Sequence, residues 1–356
     1  MMRRAQNGVP RRLNQGPETT AYASQRPEEN KDKASHALHT KPAVFLRAAR
    51  DAQAKKVSVG APLSDIDGTL LTSKHTLHPR TIHAFRALRH SRPDFPIVLC
   101  SGKQYSSCLH IRKELELPDA FPAGHCHGCT MHRGEGGEIV QQSGLSHEVA
   151  MKIIESHKGT STFMFMGDSV VQINADEREK PEKDWVKLAA DYDSDVYDKS
   201  GPQEREAFLK DFMVNKEKPC IKISLFAPEP ELPELRAKSV RDTGDDSHTF
   251  IITQALTNII ELIPSQINKG VAMHIFCQWL DVPVENVMSF GDGDNDCEML
   301  AQSGFGVSMG NAMQKPKDTA PYKTLANDEG GVGWFIEQVF PDLPKWTPET
   351  EVPSHL

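Results

Sequence analysis

The chain has 356 residues, which at about 150 residues per domain allows one large domain or two modest ones with a real core. Forty-one Lys and Arg against 49 Asp and Glu leave a formal charge of −8, an argument against a polyanion such as nucleic acid as the main partner. No run of 18 apolar residues occurs and the start has no apolar leader, so neither a membrane span nor a secretory signal is expected, and seven scattered cysteines fit the reduced thiols of a cytoplasmic protein.

Residues 1–56 hold 12 Lys and Arg against 5 acids, leaving 29 against 44 for the rest. With little apolar periodicity to repay the entropy of ordering, 1–56 reads as a disordered extension and 346–356 as a tail. Arg3, Arg4, Arg11 and Arg12, with no acid before Glu18, have the charge of a mitochondrial presequence, but Pro10 and the missing amphipathic face oppose it.

From residue 57 apolar runs alternate with helical patterns, as in a parallel sheet flanked by helices. A first strand leads into Asp65-Ile66-Asp67-Gly68-Thr69, although Pro62 removes a ladder donor that a central strand needs. That strand is expected to be irregular, or its segment not the native one, as a misjoined exon would leave it. Pro79 opens a helix with Ile82, Phe85 and Leu88 inward, and 95–100 reads as a buried strand ending at Ser101-Gly102. Cys126, Cys129 and His132 have the spacing of three zinc ligands, yet no second such pair exists and strand packing is the preferred reading.

The middle of the chain changes character. Segments 162–166 and 169–173 read as a hairpin, and 221–225 as a strand with Lys222 and Ser224 on a wet face. Strands over 250–255 and 258–263 and helices over 204–214 and 231–241 complete an α+β insertion. The parallel pattern then resumes: a helix over 271–280 with Lys269 at its start, a strand over 287–290, a helix over 297–302 and a strand over 305–308.

The second acidic word, Gly291-Asp292-Gly293-Asp294-Asn295-Asp296, also follows a strand. In extended backbone, residues two apart point the same way, so Asp65 and Asp67 can address one site at the carboxyl end of the sheet. Four converging acids would repel one another without a hard cation, and Mg²⁺ suits their oxygen ligands. Ser101 and Gly102 offer a hydroxyl and an amide at a helix start, where anions are favoured, and Lys269 offers a charge.

In this order, Asp65 to Thr69, Ser101, Lys269 and Gly291 to Leu300 resemble the four motifs of the haloacid dehalogenase superfamily of phosphatases, in its Cof-type subfamily IIB. Residues 306–312 and 327–332 are similar to that family's closing segments. The resemblance implies an α/β fold, a Rossmann-like core over 57–143 and 265–345 with a C2-type cap over 144–264. It implies a Mg²⁺-dependent phosphatase acting on a small phosphorylated metabolite such as a sugar phosphate. Asp65 would be the nucleophile and Asp67 the general acid and base. Asp65, Asp67, Asp292 and Asp296 would serve the metal, the last by supporting it; Ser101, Gly102, Lys269 and Asn295 would hold the phosphate. The family often has Asn-Gly where this chain has His127-Gly128. The alternatives are a phosphomutase of the phosphomannomutase type and a catalytically silent relative that binds phosphorylated ligands.

Overall fold

The computed structural model describes residues 59–349 except 135, 168, 177–183, 193–195 and 244–247, so the extension expected over 1–56 lies outside the described residues. In chain order the first part comprises β1 (Ala61–Ser64), α1 (Pro79–Ser91), β2 (Val98–Cys100), α2 (Tyr105–Glu114), β3 (Ala123–His125), β4 (Thr130–Arg133) and β5 (Glu138–Gln142). The middle part comprises α3 (His147–Ser156), β6 (Ser161–Met166), β7 (Ser169–Asn174), α4 (Trp185–Tyr192), β8 (Val196–Asp198), α5 (Pro202–Val214), β9 (Lys222–Phe226), α6 (Leu232–Thr243), β10 (Phe250–Leu256) and β11 (Ile259–Pro264). The chain then returns through α7 (Lys269–Leu280), β12 (Val287–Gly291), α8 (Cys297–Gln302), β13 (Phe305–Ser308), α9 (Gln314–Thr319), β14 (Tyr322–Lys323) and α10 (Gly331–Val339).

Eight strands form one sheet in the order β14-β13-β12-β1-β2-β3-β4-β5. Its strands run parallel from β14 to β3, and β4 and β5 add an antiparallel edge. This is the α/β architecture with a parallel sheet expected from the alternation. The second sheet, β10-β11-β9-β6-β7-β8, is built wholly from the middle of the chain and is antiparallel except where β7 meets β8.

α1 illustrates how the sequence sets its own limits. His78 caps it by accepting from Arg80 N, Pro79 occupies the first turn, and Ile82, Phe85 and Leu88 face inward with Ala84. They join Ile97, Leu99, Phe290 and Phe335 in a core on one face of the parallel sheet. Trp346, at the head of the expected tail, is held by its own backbone N–H to Glu337 and by the rings of His78 and the Arg80 guanidinium.

Two expectations are corrected. β1 is regular despite Pro62: it pairs with β12 from Ala61, while its ladder to β2 begins only at Leu63. The proline therefore stands at the entrance to a four-residue strand, where a missing donor costs little. The face of β9 that carries Lys222 and Ser224 is not wet, because every residue of that strand is buried. Alternation reports a polar face, but here that face looks onto the first sheet and not onto water.

Candidate active site

The loops that follow β1 and β12 meet because those strands are neighbours in the sheet, with Ser64 in register with Phe290. Asp65 N donates to Phe290 O across the strand ends (3.1 Å). Gly68 then turns the first loop with φ +74°, and an added Cβ there would lie 2.2 Å from Asp292 Oδ2, so only glycine admits both the turn and the carboxylate. Thr69 Oγ1 donates to Asp292 Oδ1 (2.7 Å). The closing segments brace the same loop: Asn311 Nδ2 donates to Gly68 O (2.7 Å) and Asn327 Nδ2 to Leu71 O (2.8 Å).

Lys269 is the first residue of α7, whose cap is Asn268, and has no exposed surface. Its Nζ donates to Asp65 Oδ1 (2.5 Å) and to Asp296 Oδ1 (2.6 Å). Burial disfavours its charge, but Asp296 and Asp65 more than offset this and hold the ammonium protonated above its ordinary range. The other oxygen of Asp296 accepts from the backbone N–H groups of Asp292 and Gly293, both at 2.9 Å. Both oxygens of Asp296 are thus engaged within the protein, which suits a part in shaping the loop more than direct ligation.

Among the described residues, Asp65, Asp292 and Asp296 are the group of three side chains whose ligand atoms lie within 4.8 Å of one another. Burial, reinforced by Asp296 and Asp292, raises the Asp65 carboxyl well above the usual range despite Lys269. Burial and then Asp296 push Asp292 up to about 7. Carboxylates that resist ionisation together are what a hard divalent cation relieves, so this donor set fits Mg²⁺. Asp67 stands outside that group. Its Oδ1 is buried without a hydrogen bond and lies 3.5 Å from Lys103 Nζ.

Ser101, at the end of β2, is buried, and its Oγ accepts from Lys103 N (3.1 Å). Gly102 lines the same cavity as Asp65, Asp67, Asp292 and Asn295. One amide hydrogen of Asn295 is directed to His127 Nδ1 (3.2 Å) and so is not aimed at a phosphate. The Cys126, Cys129 and His132 set does not form a metal cluster; His132 instead stacks on Tyr105 with ring centroids 4.3 Å apart.

Sequence reasoning missed a buried polar bridge from the second sheet. Lys222 Nζ donates to Gly102 O (2.8 Å) and pairs with Glu261 Oε1, to which Ser224 Oγ also donates (3.2 Å). Glu261 Oε2 meets His127 Nε2 at 2.5 Å. Burial would raise Glu261, but Lys222 and His127 overcome it and hold its carboxyl far below the usual range. Burial holds His127 below its usual range, so the neutral ring donates from Nε2 to Glu261 and accepts at Nδ1 from Asn295. His127 takes φ +63°, next to Cys126 at +49° and Gly128 at +92°, a left-handed run that turns its ring over Gly102. The sequence signals that touched this bridge were the alternation in β9 and His127-Gly128 in place of the family's Asn-Gly; Lys222 and Glu261 are 39 residues apart with no motif linking them.

The family model described as haloacid dehalogenase-like hydrolase matches residues 63–336. An uncharacterised hydrolase of Schizosaccharomyces pombe is 36% identical over 292 residues, covering 80% of this chain and 92% of its own. An HMP-PP phosphatase of Klebsiella pneumoniae is 28% identical, covering 80% and 97%. The solved structure of a sugar phosphatase of haloacid dehalogenase subclass IIB superposes with a TM-score of 0.62 at 22% identity, over 78% of this chain and 97% of that one.

Proposed function

The chain belongs to the haloacid dehalogenase-like hydrolases, with the fold of their Cof-type, subclass IIB members, and from that premise we propose that it is a Mg²⁺-dependent phosphatase for a small phosphate monoester. The observation that carries this reading is the grouping of Asp65, Asp67 and Asp292 in one cavity, with Asp65 held from behind by the buried Lys269 and with Asp67 Oδ1 making no hydrogen bond. The named activities of relatives, such as HMP-PP phosphatase, support it.

In the proposed mechanism Asp65 attacks phosphorus in line while the ester oxygen leaves, giving an aspartyl phosphate. Asp67 gives a proton to that oxygen and then takes one from the water that attacks the phosphoenzyme, so the two half-reactions use one group in opposite senses. Lys269 holds the Asp65 carboxylate in place and offsets charge on the transferring oxygens, while Ser101 and Gly102 offer a hydroxyl and an amide to the same oxygens. Asp65 and Asp292 would hold Mg²⁺, with the backbone carbonyl of Asp67. When bound, the cation neutralises the repulsion between nucleophile and phosphate and favours the charge of the transition state. Residues 144–264 act as the cap over the site, and closure excludes water from it.

The test is release of inorganic phosphate from acetyl phosphate and a panel of phosphorylated metabolites, with Mg²⁺ and without any bisphosphate activator. Release abolished by Asp65→Asn, and reduced about 10² to 10⁴-fold by Asp67→Asn, is the expected result. A folded, Mg²⁺-binding protein that releases no phosphate would mean a binder, and release dependent on a sugar bisphosphate would mean a mutase.

A further inference from the structure

His127 stands against three of the groups read as holding the phosphate. Its backbone N–H donates to Ser101 O (2.8 Å), its ring lies so close over Gly102 that a Cβ there would fall 2.8 Å from Cε1, and its Nδ1 faces the Asn295 amide at 3.2 Å. The ring is held in turn from the second sheet, where Glu261 Oε2 meets Nε2 at 2.5 Å. Glu261 and Asn295 both line the cavity that contains Asp65, Asp67 and Asp292.

In this chain of contacts each link fixes the next. Glu261 is held ionised by Lys222 and His127, so its Oε2 can only accept and Nε2 must carry a proton. Lys222 already balances the Glu261 charge, and a second cation on the buried ring would have no partner, so the imidazole is neutral and Nδ1 keeps its lone pair. Asn295 can meet that lone pair only with its nitrogen, which fixes the way its amide points. The same carboxylate reaches the other loop through Lys222, which donates to Gly102 O (2.8 Å).

We infer that His127 is a positioning residue for phosphoryl transfer: Glu261 of the second sheet fixes the tautomer of its ring, and the ring sets the orientation in which Asn295 meets the phosphate. This rests on the phosphatase reading above. The phosphate site is then complete only while the second sheet is seated on the first, because the ring has no other partner at Nε2 among the described residues. Glu261→Gln separates this relay from packing at nearly constant volume. The amide oxygen must face Lys222 and Ser224, which donate, so its NH₂ group faces Nε2; the ring proton moves to Nδ1 and Asn295 turns round.

The test records the imidazole nitrogen resonances of protein carrying isotope-labelled histidine, with those of His127 identified by their loss in His127→Asn. Alongside it, phosphate release from acetyl phosphate in Mg²⁺ is measured per folded molecule. The parent should show an Nε2–H ring and Glu261→Gln an Nδ1–H ring, with kcat in that variant lowered about tenfold or more and KM changed by no more than about threefold. His127→Asn tolerates the left-handed backbone and reaches only to where Nδ1 stood, so it breaks the relay, and adding Glu261→Gln to it should change kcat by no more than about threefold. An Nδ1–H or doubly protonated ring in the parent overturns the inference whether or not Glu261→Gln folds. A switched tautomer with unchanged kcat overturns it as well, as do equal losses from Glu261→Gln with and without His127, and each of these leaves the phosphatase standing. No release by the parent protein overturns both.

Discussion

Lys269 and Lys222 are both buried ammonium groups, each offset by buried carboxylate: Asp65 and Asp296 beside Lys269, and Glu261 beside Lys222. They differ in consequence. Lys269 joins the two acidic loops of the first sheet, whereas Lys222 joins the sheets to each other through Gly102 and Glu261. Removing one partner of a buried pair leaves the other charge uncompensated at a cost of about 3 to 5 kcal/mol, while removing both costs less than the sum. Glu261→Gln is therefore expected to destabilise the protein by about 3 kcal/mol or more in urea unfolding, with Lys222→Met on the same background recovering part of that loss. Additive losses in the double-mutant cycle would show that the pair is not coupled. His127 adds a second consequence, since its ring fixes Asn295 only while Glu261 fixes the ring.

The elements position these residues through their ends. α7 begins at Lys269 because Asn268 Oδ1 accepts from Val271 N (2.9 Å), so the cap sets where the lysine leaves the backbone. Asn268→Ala should cost about 1 kcal/mol of stability and lower kcat more than it raises KM, and Asn268→Ser should restore both; a stability loss with unchanged turnover would separate the cap from the site. The strand ends were legible in the sequence because their information is local: a short apolar run, two acids two residues apart, then glycine. β12, α8 and β13 follow the expected limits to within a residue for the same reason. The strand read over 95–100 shrinks to Val98–Cys100, as 95–97 lies outside the ladder. The antiparallel edge of β4 and β5 left no clear pattern, since β5 is almost wholly exposed and lacks an apolar face. The bridge was illegible for a deeper reason. Alternation distinguishes polar from apolar faces, and only the tertiary arrangement decides whether a polar face meets water or another sheet.

At the scale of the whole molecule, burying polar groups between two sheets makes stability depend on proton binding. His125 and His127 are fully buried, and in each case burial is the main cause of a pKa below the ordinary 6.5. Below about pH 6.5 the unfolded chain takes up protons at these positions that the folded protein refuses, so stability falls as the pH drops, by up to about 1.4 kcal/mol per pH unit for each histidine. Asp65 and Asp292 act in the opposite direction without a cation. Their folded pKa values are raised, Asp292 to about 7 from an ordinary 3.8, so the fold gains protons before the unfolded chain does and is stabilised as the pH falls from 7 toward 4. A bound divalent cation keeps both carboxylates ionised and removes that compensation. Melting temperature measured from pH 7.5 to 5.5 should therefore fall more steeply in saturating Mg²⁺ than in a chelator, and the stabilisation by Mg²⁺ should be largest at the alkaline end. Parallel curves would mean that the acidic cluster and the cation do not exchange protons, and His127→Asn should flatten both curves if the buried imidazole is one source of the acid lability.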